Sequence, residues 1–246
     1  MFTPAILHKG RFALADIAVR VVDEAWQPGA AYDALVQDAW QARVSAAASR
    51  AQKIWDGRYY RVTNVPEMKD GLARPGLRLG TISYRYIATY GALHGHHAKE
   101  GLEPLHHLTT ACLVRTRDGT FLFGRRSRDG AIDLIGGGVQ SDELAVACGS
   151  DLEANLRKEI LEELGVASAH IRSIGGVGIL LSTTSNVLII GLVDLALSLE
   201  EAAAQFAQRS DDEMSELVAV SQDDLGGFLG AMTDYRTFLP ELMRTP

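Results

Sequence analysis

Cysteine is scarce in this sequence: its 246 residues include only Cys112 and Cys148. The two lie far apart and match no metal-binding or redox spacing, which favours a reducing compartment. Long apolar runs are also missing. The most apolar stretch, Val187–Leu197, is too short to span a bilayer and contains Asp194. The N-terminus shows no basic segment leading into the apolar run of a signal peptide. These absences predict a cytoplasmic protein that does not bind membranes.

Basic residues are outnumbered by acidic ones, 24 to 31, which gives a net charge of −7. Residues 1–105 carry 13 basic and 10 acidic residues, a balance of +3, whereas residues 106–246 carry 11 and 21, a balance of −10. An acidic chain lacks the extended basic surface that general nucleic-acid binding requires. We therefore expect no nucleic-acid partner. The acid concentrated in the second half suits a cation site there.

Part of this acidity falls in one segment with helical apolar spacing. Leucine and isoleucine recur every four residues from Leu152 to Leu164 and predict a buried stripe. Glu159, Glu162 and Glu163 fall within an arc of about 100° that overlaps this stripe. Carboxylates four residues apart repel each other by about 0.2–0.5 kcal/mol on an exposed helix, and more when partly buried. Crowding them beside a core is reasonable if a hard cation such as Mg²⁺ binds among them, because Mg²⁺ prefers oxygen ligands.

The segment Glu159–Val166 reads Glu-Ile-Leu-Glu-Glu-Leu-Gly-Val, and the triplet Gly136–Gly138 precedes its helix. It resembles the second half of the Nudix hydrolase signature, G-x5-E-x7-R-E-U-x-E-E-x-G-U, in which U is aliphatic. The competing interpretation is an ordinary amphipathic helix with a solvated acidic face. The upstream glycines and the stop at Gly165 favour the metal-binding helix.

The first half of the signature departs from the family in three ways. Lys158 stands in place of the arginine, Ser150 is aligned with the first glutamate, and the segment between Gly138 and the helix is too long. We therefore treat residues 139–150 as an insertion of unknown role. Three nearby acids are candidates to replace the missing glutamate: Asp142, Glu143 and Asp151.

The resemblance implies a divalent cation, Mg²⁺ with Mn²⁺ as the alternative, and hydrolysis of a nucleoside diphosphate linked to another moiety. The catalytic and metal-binding residues that it implies are Glu159, Glu162 and Glu163, with a backbone carbonyl of Gly137 or Gly138 as a further ligand. Lys158 is the cation that orients these carboxylates, although lysine lacks the bidentate fork of arginine. A late-loop acid could also take part, and Asp212, Glu213 and Glu216 are available. A solvated acidic loop is the competing interpretation of those three.

The order of elements predicts an α/β fold. The helix Tyr32–Gln52 lies in the first half, and a histidine-containing linker follows at about residues 91–107. Alternating strands and helices then follow, including the acidic helix Asp151–Leu164. The resemblance implies a Nudix α/β/α sandwich with a mixed sheet over residues 106–246. Residues 1–105 are predicted to form a smaller α+β domain.

Patches over roughly residues 38–166 resemble the Nudix UDP-glucose and UDP-galactose pyrophosphatases of animals. They include Trp40–Arg43, Ile54–Arg61, Leu77–Arg85 and Leu122–Arg128. This resemblance implies cleavage of a UDP-sugar to UMP and hexose 1-phosphate. The candidate substrate contacts in the N-terminal part are Arg58, Arg78, Tyr84 and Arg85. Arg125 and Arg126 precede the glycine-rich loop, where guanidinium groups pair well with phosphates.

Two alternatives remain open at this point. The first is a Nudix hydrolase of ADP-ribose or of a dinucleotide, since the same helix serves any of these substrates. The second is a nucleotide-binding regulator that has lost hydrolysis, which Lys158 and Ser150 suggest. Retention of all three carboxylates favours catalysis, because buried charges without a cation are costly. The sequence does not indicate an oligomeric state.

Overall fold

The fold was analysed in a computed structural model that describes residues 3–50, 52–65, 68 and 75–244. An eight-stranded sheet dominates it. Its strands are β1 (Ala5–Phe12), β5 (Leu108–Arg115), β6 (Phe121–Arg126), β7 (Ile132–Asp133), β8 (Ile135–Gly138), β9 (Ile171–Leu181), β10 (Val187–Leu195) and β11 (Met214–Val220). The strand order is β1-β9-β10-β5-β6-β11, and in addition β7 pairs with β6 and β8 pairs with β5. Strands β5 and β10 are parallel and the other pairs are antiparallel, so the mixed sheet is confirmed.

Helices cover both faces of this sheet. Along β5, Cys112 and Val114 enter the core beside helix α3 (Gly149–Leu164), whereas Leu113 enters the core on the opposite face. That opposite face is covered by α5 (Leu225–Gly230), a 3₁₀ turn (Asp234–Phe238) and α6 (Leu239–Met243). Helix α4 (Leu199–Gln208) instead packs into the same core as α3, through Ala202. Burial on both faces explains why β10 is almost continuously apolar. The predicted α/β/α sandwich is therefore confirmed.

A smaller unit lies beside the sandwich. Its three-stranded sheet has the order β2-β4-β3, formed by β2 (Ala18–Ala25), β3 (Arg58–Val62) and β4 (Gly76–Ser83). Helices α1 (Ala30–Ala48) and α2 (Tyr84–Lys99) pack on it. Strand β1, although early in the chain, pairs with β9 of the large sheet. The division of the chain into domains at residue 105 stays a prediction.

The predicted histidine-containing linker is wrong, because most of that segment lies in helix α2. Tyr86, Tyr90 and His97 pack with Trp26 in an aromatic core. The ring of His97 stacks on Trp26 at 6.0 Å and its Nε2 lies 3.2 Å from the Glu103 carbonyl. Aromatic packing in the folded protein therefore fixes these residues as a helix. The first predicted helix is confirmed, although it spans Ala30–Ala48 rather than reaching Gln52.

Helix α3 carries the acidic segment and has clear signals at both ends. The carboxylate of Asp151 accepts the backbone N–H groups of Ala147 and Cys148 at 2.7 and 2.9 Å, which caps the first turn. Gly165 ends the helix with a φ of 71°, a conformation that glycine adopts most readily. In the described part of the chain, no helix combines the length and the apolar character needed to cross a membrane.

Candidate metal and substrate site

Two carboxylates of α3 are buried against the glycine-rich strand β8. Glu163 is 3% exposed and accepts the backbone N–H of Gly136 at 2.9 Å. Glu159 is 8% exposed and lies against Gly137, where an added Cβ would come within 2.6 Å of its Oε2. A side chain at residue 137 would therefore displace the carboxylate. Glu162 projects outwards, and 43% of its side chain is exposed.

Burial makes this carboxylate pair electrostatically unfavourable without a cation. It raises the pKa of Glu163 to about 9, opposed by the Gly136 hydrogen bond and reinforced by Glu159 and Glu213. Burial also raises the pKa of Glu159 to about 7; the charge of Lys158 opposes this rise and that of Glu162 reinforces it. Desolvation of the charged form is the main cause in both cases. The positive charge near the two carboxylates is therefore too small to keep both of them ionised at neutral pH.

Lys158 lies within 4 Å of three acidic side chains at the edge of the site. Its Nζ lies 3.0 Å from Glu143, 3.4 Å from Glu162 and 3.9 Å from Glu159. Partial burial lowers the pKa of Lys158, but the neighbouring carboxylates outweigh that effect, so the net pKa is raised. This contact identifies Glu143 as the acid that pairs with Lys158.

The contact between Glu143 and Lys158 favours Glu143 over Ser150 as the counterpart of the signature's first glutamate, and the alignment stays a prediction. Counting from Gly137, the spacing G-x5-E leads directly to Glu143. The other candidates have different partners. Asp142 accepts the backbone N–H of Arg58 at 2.7 Å, and Asp151 caps α3. The extra residues thus lie after Glu143, in the segment that leads to Lys158.

Among the late-loop acids, Glu213 is the one that approaches the buried carboxylates. It lines the same cavity as Glu163, and its charge contributes to the raised pKa values of both Glu163 and Glu159. Glu216 instead pairs with Arg125 at 2.6 Å. The backbone carbonyl of Asp212 accepts a hydrogen bond from Ser127.

A polar cavity of about 390 Å³ opens beside Glu163 and Gly136. Three arginines line it: Arg126, Arg128 and Arg236. Neutral polar groups come from Thr109 on β5 and from the turn between β9 and β10, which contributes Ser182, Thr184 and Asn186. The cavity therefore combines carboxylates, guanidiniums and neutral hydrogen-bonding groups. Such a lining suits an anionic, hydroxyl-rich small molecule.

Of the substrate residues predicted from sequence, Arg126 lines this cavity. The others make contacts elsewhere. Arg125 pairs with Glu216, Arg58 with Asp142, Arg78 Nε with the hydroxyl of Thr63 at 2.7 Å, and Arg85 with Asp33 and Asp56. Tyr84 stacks on Tyr59 at 5.4 Å, and the Tyr59 ring in turn lies against Gly138. Roles in substrate binding for these residues stay predictions.

Sequence reasoning missed several contributors to the cavity, among them Asp133 and Arg236. Asp133 accepts hydrogen bonds from Tyr235 and Arg236 and pairs with Arg126. Neither residue belongs to a motif, and they are about a hundred positions apart, so only the fold shows that they meet. The role of Glu143 was open but could have been read from its spacing to Gly137.

The donor set fits a hard divalent cation. The carboxylate oxygens of Glu159, Glu162 and Glu163, with the carbonyl groups of β8 nearby, are the ligand type that Mg²⁺ and Mn²⁺ prefer. A cation would also compensate the buried charge at Glu159 and Glu163. Across the part of the chain that the structure describes, no three His, Cys, Asp or Glu side chains are already gathered as a metal site. Glu162 is instead drawn towards Lys158.

Comparison with known proteins gives distant structural likenesses. The chain is similar to the NUDIX domain of Shewanella oneidensis NrtR in complex with ADP ribose (12% identity, TM-score 0.41, 63% of this chain and 96% of that chain). It is also similar to the MutT protein from Methanosarcina mazei Go1 (22%, 0.38, 58% and 96%). A third similar structure is an ADP-ribose pyrophosphatase from Streptococcus suis (21%, 0.34, 48% and 76%).

No protein-family model matches the chain, and no curated protein matches it. The structural likenesses have TM-scores below 0.5 and identities below 25%, so they assign neither a family nor a substrate. The functional conclusion therefore depends on the residues of the site.

Proposed function

We propose that the protein is a Nudix hydrolase that uses a divalent cation to cleave a nucleoside diphosphate linked to another moiety. The supporting observation is the pair of buried carboxylates, Glu159 and Glu163, held against β8, where a cation would compensate their charge. The Glu143–Lys158 contact adds the ion pair at the signature's acid and base positions. These residues match the family's signature at the positions where its metal chemistry requires them. We place the activity in the cytoplasm, as the sequence predicts.

Glu159, Glu162 and Glu163 would hold the cation, with the Gly138 carbonyl as a further ligand. A bound Mg²⁺ or Mn²⁺ would neutralise charge on the diphosphate oxygens and lower the pKa of a coordinated water. Release of Glu162 from Lys158 would let it turn towards the cation, because 43% of its side chain is exposed and not fixed by packing.

The remaining chemistry falls to groups of the chain itself. The Gly136 N–H fixes one oxygen of Glu163, and Lys158 fixes the edge of the site through Glu143. Glu213 lies on the cavity wall, where it can accept a proton from the attacking water. Partial burial raises the pKa of Glu213, while Arg128 opposes the rise, which makes its carboxylate a better base than an ordinary glutamate.

For the substrate, we propose a UDP-sugar, UDP-glucose or UDP-galactose, cleaved to UMP and hexose 1-phosphate. The support is the sequence resemblance over residues 38–166, together with a cavity lined by arginines and neutral polar groups. The arginines suit the diphosphate, and Ser182, Thr184 and Asn186 suit the hydroxyl groups of a sugar. ADP-ribose has the same two kinds of group and is the alternative substrate to compare.

Product analysis tests this proposal. UDP-glucose, UDP-galactose and ADP-ribose would each be incubated with the protein and Mg²⁺, and the products separated by ion-exchange chromatography. Glu163→Gln is the test variant. Glu153→Gln is its matched control, since Glu153 lies on the same helix but pairs with Arg157 at 2.6 Å away from the site. We expect UMP and hexose 1-phosphate from the unmodified protein and from Glu153→Gln, with turnover reduced by orders of magnitude in Glu163→Gln.

The outcomes separate the alternatives. Faster cleavage of ADP-ribose than of both UDP-sugars would keep the hydrolase and remove the UDP-sugar assignment. Equal turnover by Glu163→Gln and Glu153→Gln would remove the metal-site assignment. Tight binding of a nucleotide with no turnover under Mg²⁺ or Mn²⁺ would favour the non-catalytic regulator instead.

A further inference from the structure

Arg236 is held rigidly at the wall of the cavity although it comes from the last turns of the chain. Its Nη1 donates to the Ile132 carbonyl at 2.6 Å and lies 3.4 Å from the Asp133 carboxylate, while its Nε donates to the Thr233 carbonyl at 3.2 Å. The side chain is 16% exposed. Among the described residues, the contacts that hold Arg236 use its Nε and Nη1.

Asp133 joins Arg236 to Arg126. Its Oδ2 lies 3.2 Å from Arg126 Nη1, and its Oδ1 accepts a hydrogen bond from the Tyr235 hydroxyl at 3.1 Å. One carboxylate thus serves two guanidiniums, each with a small exposed fraction. Arg126 is also held by Asp129, which accepts a hydrogen bond from its Nε at 3.1 Å and lies 3.0 Å from its Nη2, so carboxylates fix both guanidiniums in the wall that the two arginines form.

The segment that presents Arg236 is fixed by a residue in an unfavourable conformation. Asp234 has a φ of 63°, in the left-handed region that non-glycine residues rarely adopt. Its carboxylate accepts the backbone N–H of Thr183 at 2.8 Å, which attaches the segment to the turn between β9 and β10. Such a strained residue persists where the surrounding contacts over-determine it, often at a functional site. Here it sets the position of the two residues that follow.

The charged side chains around the cavity suit an anion that also binds a cation. Glu163 and Glu213 line the cavity together with Arg126 and Arg236. Among the described residues, no ion pair joins these glutamates to these arginines. A phosphate that binds a cation held by the glutamates can also accept hydrogen bonds from guanidiniums in the same cavity.

We infer that Arg236 and Arg126, joined through Asp133, form an anion-binding wall that holds the phosphoryl oxygens of the substrate. The inference deepens the proposed function and rests on it for the identity of the substrate, but it concerns a binding site that is measurable without turnover. Inorganic pyrophosphate with Mg²⁺ is the probe, because it carries the diphosphate without a base or a sugar.

The experiment is calorimetric titration of pyrophosphate, at fixed free Mg²⁺, into the full chain and four variants. Arg236→Gln and Arg126→Gln remove the charges, and Arg236→Lys keeps a charge without the bidentate fork. Arg117→Gln is the matched control, because Arg117 also bonds a backbone carbonyl and a carboxylate, those of Ala196 and Glu201, outside the cavity. Thermal melting checks that each variant folds.

We expect affinity for pyrophosphate to fall about ten- to a hundredfold in Arg236→Gln and Arg126→Gln, as for loss of a charged hydrogen bond. Arg236→Lys should lie between these and the wild type, and Arg117→Gln should bind like the wild type. If Arg236→Gln does not fold, Arg236→Lys and Arg126→Gln provide the same comparison.

Failure of this inference differs from failure of the proposed function. Wild-type affinity in both Arg236 variants, or no pyrophosphate binding by the wild type, would overturn the anion-binding wall even if nucleotides are hydrolysed. Loss of pyrophosphate binding in Arg236→Gln, with no nucleotide hydrolysed by the wild type, would support the wall and refute the hydrolase.

Discussion

Replacing Glu163 by glutamine should stabilise the metal-free protein near neutral pH. The carboxyl is buried on α3, and burial raises its pKa to about 9 from 4.5 in the unfolded chain. Between these two values the folded protein keeps a proton that the unfolded chain releases. The free energy of unfolding therefore falls as the pH rises through this window. The sign is opposite to that of a salt-bridged acid, whose pKa is depressed on folding.

The size of the effect follows from the distance between the pH and the unfolded pKa. The unfolded pKa is 4.5, which lies about 2.5 units below pH 7. Each unit corresponds to about 1.4 kcal/mol, so holding Glu163 neutral in the folded protein costs on the order of 3 kcal/mol. Glutamine avoids this cost, and its side-chain oxygen can still accept the Gly136 N–H. For a chain of this size, the gain should raise Tm by roughly 6–12 °C.

The assay is urea denaturation with EDTA at several pH values from 5 to 8, for the wild type, Glu163→Gln and Glu153→Gln. We expect the stability of the wild type and of Glu153→Gln to fall with rising pH, and that of Glu163→Gln to change less. Glu159, with a pKa raised to about 7, should also make the free energy of unfolding fall with rising pH below pH 7. Mg²⁺ should stabilise the wild type most at the higher pH values.

A flat wild-type curve from pH 5 to 8 would refute the burial argument. Equal stability of Glu163→Gln and Glu153→Gln at pH 8 would refute it as well, because the control helix position carries no buried proton.

Three further predictions test the parts that surround the site. Glu143→Gln should lower kcat at least about tenfold by freeing Lys158, while Lys158→Arg should keep kcat near that of the wild type. Steady-state kinetics would check both variants. Equal kcat values in the wild type and both variants would contradict the role of the Glu143–Lys158 ion pair. Arg61→Leu should lower the free energy of unfolding in urea by about 2–3 kcal/mol, because the 1%-exposed Arg61 donates to the Leu105 and Pro104 carbonyls and pairs with Glu103. Gly149→Ala should lower the thermal stability by about 1–3 kcal/mol, since a Cβ there would lie 1.9 Å from the Leu14 carbonyl oxygen. At Gly226 the new Cβ of an alanine would meet no group outside its own helix within 4 Å, so Gly226→Ala should melt at or slightly above the wild-type temperature.

Local patterns were enough to predict the α/β class and the acidic helix. Helix α3 begins two residues before its predicted start and ends where predicted, because Gly165 gives a clear stop. The histidine-rich segment was misread as a linker because α2 is held by contacts with Trp26, which is distant in sequence. Helical spacing alone did not reveal that packing.

The candidate site was also only partly predictable from local patterns. The three glutamates lie within five consecutive residues, so helical geometry alone places them on one side of α3. The cavity draws on β5, the β9–β10 turn, β11 and the last turns of the chain, which no local motif connects. Asp133 and Arg236 therefore could not be assigned from sequence, and Arg125 and Arg126 could not be told apart. In the fold, Arg126 lines the cavity with Glu163, whereas Arg125 pairs with Glu216 on another surface.

Under the proposed assignment of Glu143 and Lys158 to the signature, the insertion between them leaves the site intact. Residues 144–157 place fourteen positions between Glu143 and Lys158, where the signature has seven. The 3.0 Å contact between those two side chains holds the ends of this segment together. Val146 is buried and its N–H donates to the Tyr60 hydroxyl, and Gly149 lies against the Leu14 carbonyl. The added residues thus attach the smaller unit and the N-terminal segment to α3. Because they join α3 at its Cys148 end, on the order of three helical turns before Glu159, they add tertiary contacts at a distance from the carboxylates.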